Sequence, residues 1–283
     1  MTDRTRGDLC PGVFRPWPAD DGALVRLRIP GGHLTRTTLA ALLDVAESYG
    51  DGEVHLTKRA NLQLRALPLA DGAVPPEVVE AIRGTGLLPH PEHELVRNVL
   101  VSPLTGLVGG RADLRPVTAE LDERMCATPS LAKLPGRFLL VLDDGRGDLV
   151  DRSCDLGLVA LDAETVQLRV GSTHWGPVVP ISEAAARLTG LARAFQQVRG
   201  SGDDAAWHVD ELAVPPASHD ADPHLPAPST HPPYGEVAEG ITHVEVPDGV
   251  LGRAALRDLP EHLVVTPWKS LMSVVEKVSQ PRR

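Results

Sequence analysis

A formal net charge of −10 over 283 residues, with a pI near 5.5, excludes a general nucleic-acid binder, because phosphate recognition needs surplus Lys and Arg. Aromatic residues make up 3% of the chain, so its cores must be built from Leu, Val and Ala, although the length allows one large domain or two to three smaller ones. No apolar run nears the roughly 18 residues that cross a bilayer, residues 1–9 are charged rather than signal-like, and Cys10, Cys126 and Cys154 include no Cys-x-x-Cys pair. These features predict a soluble cytoplasmic protein with no membrane or nucleic-acid partner, no disulfide framework and no four-thiolate metal site of its own.

An irregular leader opens at Cys10-Pro11-Gly12 and runs to the turn at Asp20-Asp21-Gly22. Residues 24–29 alternate as a strand with Arg26 and Arg28 on one face, and Pro30-Gly31-Gly32 stops it. Thr35 caps a helix over residues 36–49, where Leu39, Leu42, Leu43 and Ala46 form the apolar stripe. After Gly50-Asp51-Gly52 comes the stretch that organises the chain. Val54, Leu56, Ala60, Leu62 and Leu64 fall at every second position, broken by Lys58, which predicts one strand over residues 54–65. Its other face carries His55, Thr57, Arg59, Asn61, Gln63 and Arg65, all hydrogen-bond donors when His55 is suitably protonated, and no Asp or Glu occurs between Val54 and Ala70. A donor-rich, acid-free face suits a large planar anion, such as a tetrapyrrole with its ring of carboxylates, held by charge-assisted bonds. The alternative is an ordinary solvated sheet face. A further helix is predicted over residues 75–84.

The second block follows Pro89-His90-Pro91. It holds Arg97-Asn98-Val99 and Ser102-Pro103-Leu104-Thr105-Gly106, then a helix over residues 117–126. Gly109-Gly110 lacks the strand and spacing of a phosphate-binding fingerprint. Strands are predicted over residues 137–143, 155–161 and 165–171, and a helix over residues 181–198 closes an α+β domain. Seven prolines among the twenty residues 214–233, interspersed with His219, His224 and His231, predict a linker or disordered hinge. The His spacing is too irregular for a helix-mounted metal site.

The opening unit returns after this linker. Ile29-Pro30-Gly31-Gly32 aligns without a gap with Val246-Pro247-Asp248-Gly249, and Leu34, Arg36 and Leu39 align with Leu251, Arg253 and Leu256. Leu56-Thr57 then matches Val265-Thr266 if the intervening helix is cut by eight residues, and Pro267-Trp268-Lys269 stands where the first copy has Lys58-Arg59. The expected division is a half-domain over residues 1–88, a larger α+β domain over 89–213, the Pro/His-rich linker over 214–235 and a shortened second half-domain over 236–283.

Leu56-Thr57-Lys58-Arg59-Ala60-Asn61-Leu62-Gln63-Leu64, Arg97-Asn98-Val99, Ser102-Pro103-Leu104-Thr105-Gly106 and Leu134-Pro135-Gly136-Arg137-Phe138 resemble the nitrite and sulfite reductase family. Cys10-Pro11-Gly12, residues 143–148 and Thr266-Pro267-Trp268-Lys269 are similar to its precorrin-3B synthase branch. The resemblance implies an α+β fold with two ferredoxin-like half-domains flanking one larger domain, and a tetrapyrrole between the pseudo-symmetric halves. Position by position it makes Arg59, Arg97 and Arg137 anion-binding candidates. Thr57, Asn61, Gln63, Arg65 and Asn98 stand beside them, and Arg26 and Arg28 reach in from the neighbouring strand. It implies oxygen-dependent hydroxylation of precorrin-3A in cobalamin biosynthesis, with a [4Fe-4S] centre and a siroheme or precorrin as the tetrapyrrole. The family's second basic residue near the Phe is replaced by Leu139, which weakens the sulfite or nitrite reductase alternative. By the same resemblance a second large domain, with the four cluster cysteines, is missing. No cluster is then expected in this chain alone, a second chain supplying that domain is an implied partner, and a non-catalytic tetrapyrrole-binding remnant is the other alternative.

Overall fold

Three five-stranded sheets organise the molecule, whose computed structural model describes residues 8–275. The charged start (1–7) and the polar tail (276–283) lie outside the described residues. The first unit comprises β1 (Trp17–Ala19), β2 (Gly22–Leu27), β3 (His33–Thr35), α1 (Arg36–Tyr49), β4 (Val54–Leu56), β5 (Leu62–Leu67) and α2 (Pro76–Gly84). Helix α1 spans the predicted residues because Thr35 Oγ1 accepts the Thr38 N–H at 2.9 Å, while Leu39, Leu42, Leu43 and Ala46 are buried together.

The single strand expected over residues 54–65 is instead the tight hairpin β4–β5. Thr57 donates its N–H to the Asn61 carbonyl at 3.0 Å, and its hydroxyl accepts the Arg59 and Asn61 N–H groups. Ala60 takes a left-handed φ of 53° to complete the turn. The alternation misled because Leu56 faces Leu62 and His55 faces Gln63 across the hairpin. The apolar set therefore stays on one side although the chain reverses.

The larger unit contains β6 (Val99–Val101), α3 (Arg115–Cys126), β7 (Leu140–Asp143), β8 (Leu156–Ala160), β9 (Thr165–Val170), β10 (His174–Pro180) and α4 (Ile181–Val198). Its sheet has the order β10-β9-β8-β7-β6, parallel from β6 to β8 and antiparallel beyond. Phe138 and Phe195 meet in its core with ring centroids 5.4 Å apart. Strand β10 has no counterpart among the predicted elements; a register shift between Trp175 and Val178 absorbs Gly176-Pro177.

The last unit comprises β11 (Gly235–Ala238), β12 (Ile241–Val244), β13 (Val250–Leu251), β14 (His262–Val265) and β15 (Leu271–Val274). Its sheet, β11-β12-β15-β14-β3, repeats the order of the first, β1-β2-β5-β4-β13. Each sheet borrows its last strand from the other copy: Leu251 pairs with Val54, and Leu34 pairs with Leu263. The turns repeat too. Thr266 donates to the Ser270 carbonyl at 2.9 Å, Thr266 Oγ1 accepts the Trp268 and Ser270 N–H groups, and Lys269 has φ 60°. Gly31 and Gly32 (φ 71° and 74°) correspond to Asp248 and Gly249 (φ 55° and 74°), left-handed pairs that Gly and Asp tolerate best. Val246, Leu251, Leu256, Leu263, Val265 and Leu271 join α1 and the first sheet in one shared core.

The Pro-rich segment, expected as a linker or disordered hinge, joins the larger unit to the last one. It lacks regular structure but is fastened along the large sheet. His219 N–H donates to the Trp175 carbonyl at 2.8 Å, the Gln167 side chain bonds the backbone of Asp220 and Asp222, and Ser229 N–H donates to the Gly147 carbonyl. Proline removes backbone donors, and the bonds fall on the non-Pro residues between. No helix among the described residues is long and apolar enough to cross a membrane.

Candidate functional site

The three sequence motifs meet through two asparagines. Asn61, 1% exposed, accepts the Ile29 N–H on Oδ1 at 3.0 Å and donates Nδ2 to Asn98 Oδ1 at 3.1 Å. Asn98 donates in turn to the Leu95 and Gly136 carbonyls at 2.9 and 3.0 Å. The β4–β5 turn, the Arg97-Asn98-Val99 segment and the Pro135-Gly136-Arg137 turn are thus tied at one point. Both amides are buried and bonded at N and O to protein partners, so their role is positional. Beside the lock, Arg59 Nη1 donates to the Arg137 carbonyl at 2.9 Å, while the exposed Arg137 guanidinium lies 5.7 Å from the centroid of the Trp207 ring.

Around this lock three arginines and the leader share one electrostatic neighbourhood. Arg26 places Nε and Nη2 on Gln63 Oε1 at 3.1 and 2.7 Å, which orients both side chains on the β2–β5 pair. Burial lowers the pKa of Arg26 and of Arg59. Arg28 is 3% exposed, and burial, then the charge of Arg26, pulls it down to about 10. The leader crosses this group: Pro11 accepts from Arg28 Nη1, and Asp8 accepts the Gly136 and Cys10 N–H groups. Burial and the Asp8 charge push the Cys10 thiol up, whereas Arg59 and Arg28 pull it down. Glu94 anchors the leader by accepting the Val13 and Phe14 N–H groups at 2.6 and 3.0 Å.

Other expected site residues are placed differently. Arg97 spends its fork on Asp122, at 2.8 and 2.6 Å; burial would lower its pKa, but the carboxylate leaves it raised. Arg65 forms an exposed pair with Asp21 on the rim. Thr57 serves the turn. His55, from the same expected face, bonds Asp51 at 2.7 Å. The face is therefore smaller than the alternation suggested, and it draws on Arg26, Arg28, Arg59, Gln63 and Arg137.

Two participants had no sequence signal beyond their residue type. Asp155 is fully buried, and burial lifts its carboxyl to about 6 although His208 and the Leu139 and Val209 N–H groups oppose this. His208 Nε2 lies 3.8 Å from Asp155 Oδ1, and Asp155 in turn exerts its charge on Arg59. The buried Asp155 carboxyl, with His208 beside it, thus acts on the arginine cluster through its charge.

The donor set fits a carboxylate-bearing tetrapyrrole, since guanidinium groups dominate and Arg28 retains two buried nitrogens without a partner among the described residues. It does not fit an iron–sulfur cluster. Burial pushes Cys126 to about 11 and Cys154 to about 12, and Cys154 Sγ points at the Gly171 carbonyl. Among the described residues no convergent metal-ligand group contains a cysteine.

Residues 18–73 match the nitrite/sulfite reductase ferredoxin-like half domain. The chain is 34% identical over 141 residues to a precorrin-3B synthase of Sinorhizobium sp, covering 50% of this chain and 29% of that protein. It is 33% identical over 231 residues to a ferredoxin–nitrite reductase of Synechococcus elongatus, covering 72% of this chain and 44% of the relative. The structure of the Mycobacterium tuberculosis NirA protein superposes with a TM-score of 0.66 at 17% identity, over 91% of this chain and 54% of that one. The chain spans less than half the length of the curated relatives it matches.

Proposed function

Because the chain belongs to the nitrite/sulfite reductase family, we propose that it is the tetrapyrrole-holding part of an oxidoreductase of the precorrin-3B synthase type. The reaction in this reading is the oxygen-dependent hydroxylation of precorrin-3A. The observation that carries it is the meeting of the three motifs at Asn61, Asn98 and Gly136, which brings Arg26, Arg28, Arg59 and Arg137 near one another, with the leader lying over Arg28. These side chains bind and orient the macrocycle through its carboxylates. The leader, held by Glu94, covers Arg28 and keeps water from it. Electron supply in this reading comes from protein outside this sequence, since its three thiols do not form a cluster ligand set.

A second reading, a siroheme protein of the nitrite reductase type, draws on the longer match to the Synechococcus relative. Leu139 counts against it. Its side chain is buried in the core and offers no charge where the resemblance asks for a cation; its polar contacts are those of its backbone, with Asp155 and Leu156.

The test is an absorbance titration of the purified chain with uroporphyrin, an octacarboxylate tetrapyrrole. Wild type should bind, and Arg59→Ala should bind more weakly by about 1.5 to 3 kcal/mol, the worth of a charge-assisted hydrogen bond. Unchanged binding in Arg59→Ala would remove the reading. Precorrin-3A turnover with dioxygen and an added reductant, in the presence of a cluster-bearing partner, separates the oxidoreductase from a binding remnant.

A further inference from the structure

Arg137 is exposed, and its guanidinium lies over the Trp207 ring, 5.7 Å from the centroid. An aromatic face holds a guanidinium by its flat side, so the in-plane N–H groups stay available to an anion. An exposed Arg side chain is otherwise spread over many rotamers, and ordering it on binding costs entropy. The pair is therefore useful only if both members are held, yet they come from distant segments, one before β7 and one after α4.

One side chain ties the two segments together. Asp155, fully buried before β8, accepts the Leu139 N–H on Oδ2 at 2.8 Å and the Val209 N–H on Oδ1 at 3.0 Å. Each bond falls two residues beyond a member of the pair. On the Arg137 side, the Gly136 and Arg137 carbonyls accept from Asn98 and Arg59, so the backbone is fastened before and after the exposed side chain. On the other side, Glu211 accepts the Trp207 N–H at 2.8 Å. The groups that face Asp155 are His208, with Nε2 3.8 Å from Oδ1, and Arg59, while Cys154 next to it keeps its proton because burial pushes it up to about 12. Burial holds the Asp155 carboxyl at about 6. Its two charge-assisted bonds are thus complete at pH 8 and weaken once it takes a proton below that value.

We propose that Asp155 is a positioning residue for the ligand site: its carboxylate, bonded to the Leu139 and Val209 N–H groups, keeps the Arg137 guanidinium on the Trp207 ring with its in-plane donors free for an acidic arm of the macrocycle. That ligand is the one of the tetrapyrrole reading above, on which the last step rests. The clamp itself does not depend on it.

Wild type, Asp155→Asn, His208→Gln and Trp207→Phe are titrated with uroporphyrin at pH 8 and at pH 5, and their tryptophan emission is recorded without ligand at both values. The part of the emission that Trp207→Phe lacks belongs to Trp207. At pH 8 Asp155→Asn should bind uroporphyrin about tenfold more weakly than wild type, within the range of a cation–π contact. The ratio should close towards one at pH 5, where the wild-type carboxyl is uncharged as well; the titration of uroporphyrin itself is common to both proteins and cancels. Without ligand, the Trp207 emission of wild type should shift between the two pH values, that of His208→Gln should shift as well, and that of Asp155→Asn should stay constant. If Asp155→Asn does not fold, the emission of wild type and His208→Gln decides. No shift in wild type, a shift lost in His208→Gln, or an affinity ratio equal at both pH values overturns the assignment. Wild type that ignores uroporphyrin refutes the tetrapyrrole reading alone, and the emission then decides the clamp.

Discussion

Asn61 and Asn98, 37 residues apart in sequence, join side chain to side chain at 3.1 Å, and each spends its remaining capacity on backbone of a third segment. Asn61→Ala would strand the Ile29 N–H and one acceptor on Asn98. It should cost about 1 to 3 kcal/mol in urea unfolding. A double-mutant cycle with Asn98→Ala should give a coupling above about 0.5 kcal/mol; purely additive losses would mean that the two amides act separately.

Arg97 and Arg65 should separate stability from binding. Removing Arg97 leaves the Asp122 carboxylate without its partner in a largely buried place, so Arg97→Ala should lose up to about 3 kcal/mol of stability. Arg65 pairs with Asp21 in solvent, and Arg65→Ala should change stability by less than about 1 kcal/mol. A loss of stability in Arg65→Ala matching that in Arg97→Ala would contradict these placements.

The borrowed strands make the two copies one folding unit. Leu251, 3% exposed, pairs with Val54 in the first sheet although it belongs to the second copy. Leu251→Ala should cost about 2 to 4 kcal/mol. Amide exchange should then quicken in both β4 and β14. Acceleration confined to the last unit would show that the copies fold independently.

Asp148 titrates against the fold. Burial raises its carboxyl to about 7, with Asp143 adding to the shift and the bond from the Ser102 hydroxyl opposing it. The folded state then holds a proton that the unfolded chain releases near pH 4, so stability is greatest below that point and falls as pH rises towards 7. Each unit of such a shift corresponds to about 1.4 kcal/mol. Asp148→Asn can still accept from Ser102 and should remove most of this fall. The variant should be more stable than wild type at pH 8 and close to it at pH 4, as read by Tm at the two values. Equal stability of the two proteins at pH 8 would show that Asp148 ionises in the fold as it does in water.

Gln167 should hold the Pro-rich strap in place. Its side chain is buried and bonds the backbone of Asp220 and Asp222. The segment over residues 214–233 contains no Lys or Arg, so proteinase K rather than trypsin is the probe. Gln167→Leu should be cut within the strap well before wild type. Equal rates would mean that the other bonds suffice.

Local signals in the sequence were enough for the helices and the repeat. The Thr35 cap with its apolar stripe marks α1, and the spacing of Ala185, Leu188, Leu191, Ala192 and Phe195 marks α4, because a helix satisfies its backbone within itself. Pro30-Gly31-Gly32 and Pro247-Asp248-Gly249 announce the same turn because left-handed φ restricts residue choice. Pairing was beyond such signals. A period of two is the same for one long strand and for a hairpin whose turn keeps the faces in step, so β4–β5 could not be told from a single strand. Nothing local says that β3 and β13 change sheets, since edge strands are completed by whichever partner lies alongside. The site divides in the same way. Arg26, Arg59, Asn61 and Arg137 are legible as residue types within motifs. Only the packing of three distant segments decides that Arg97 is neutralised by Asp122 while Arg28 keeps an unmatched edge, because the partner of a guanidinium is chosen by the fold.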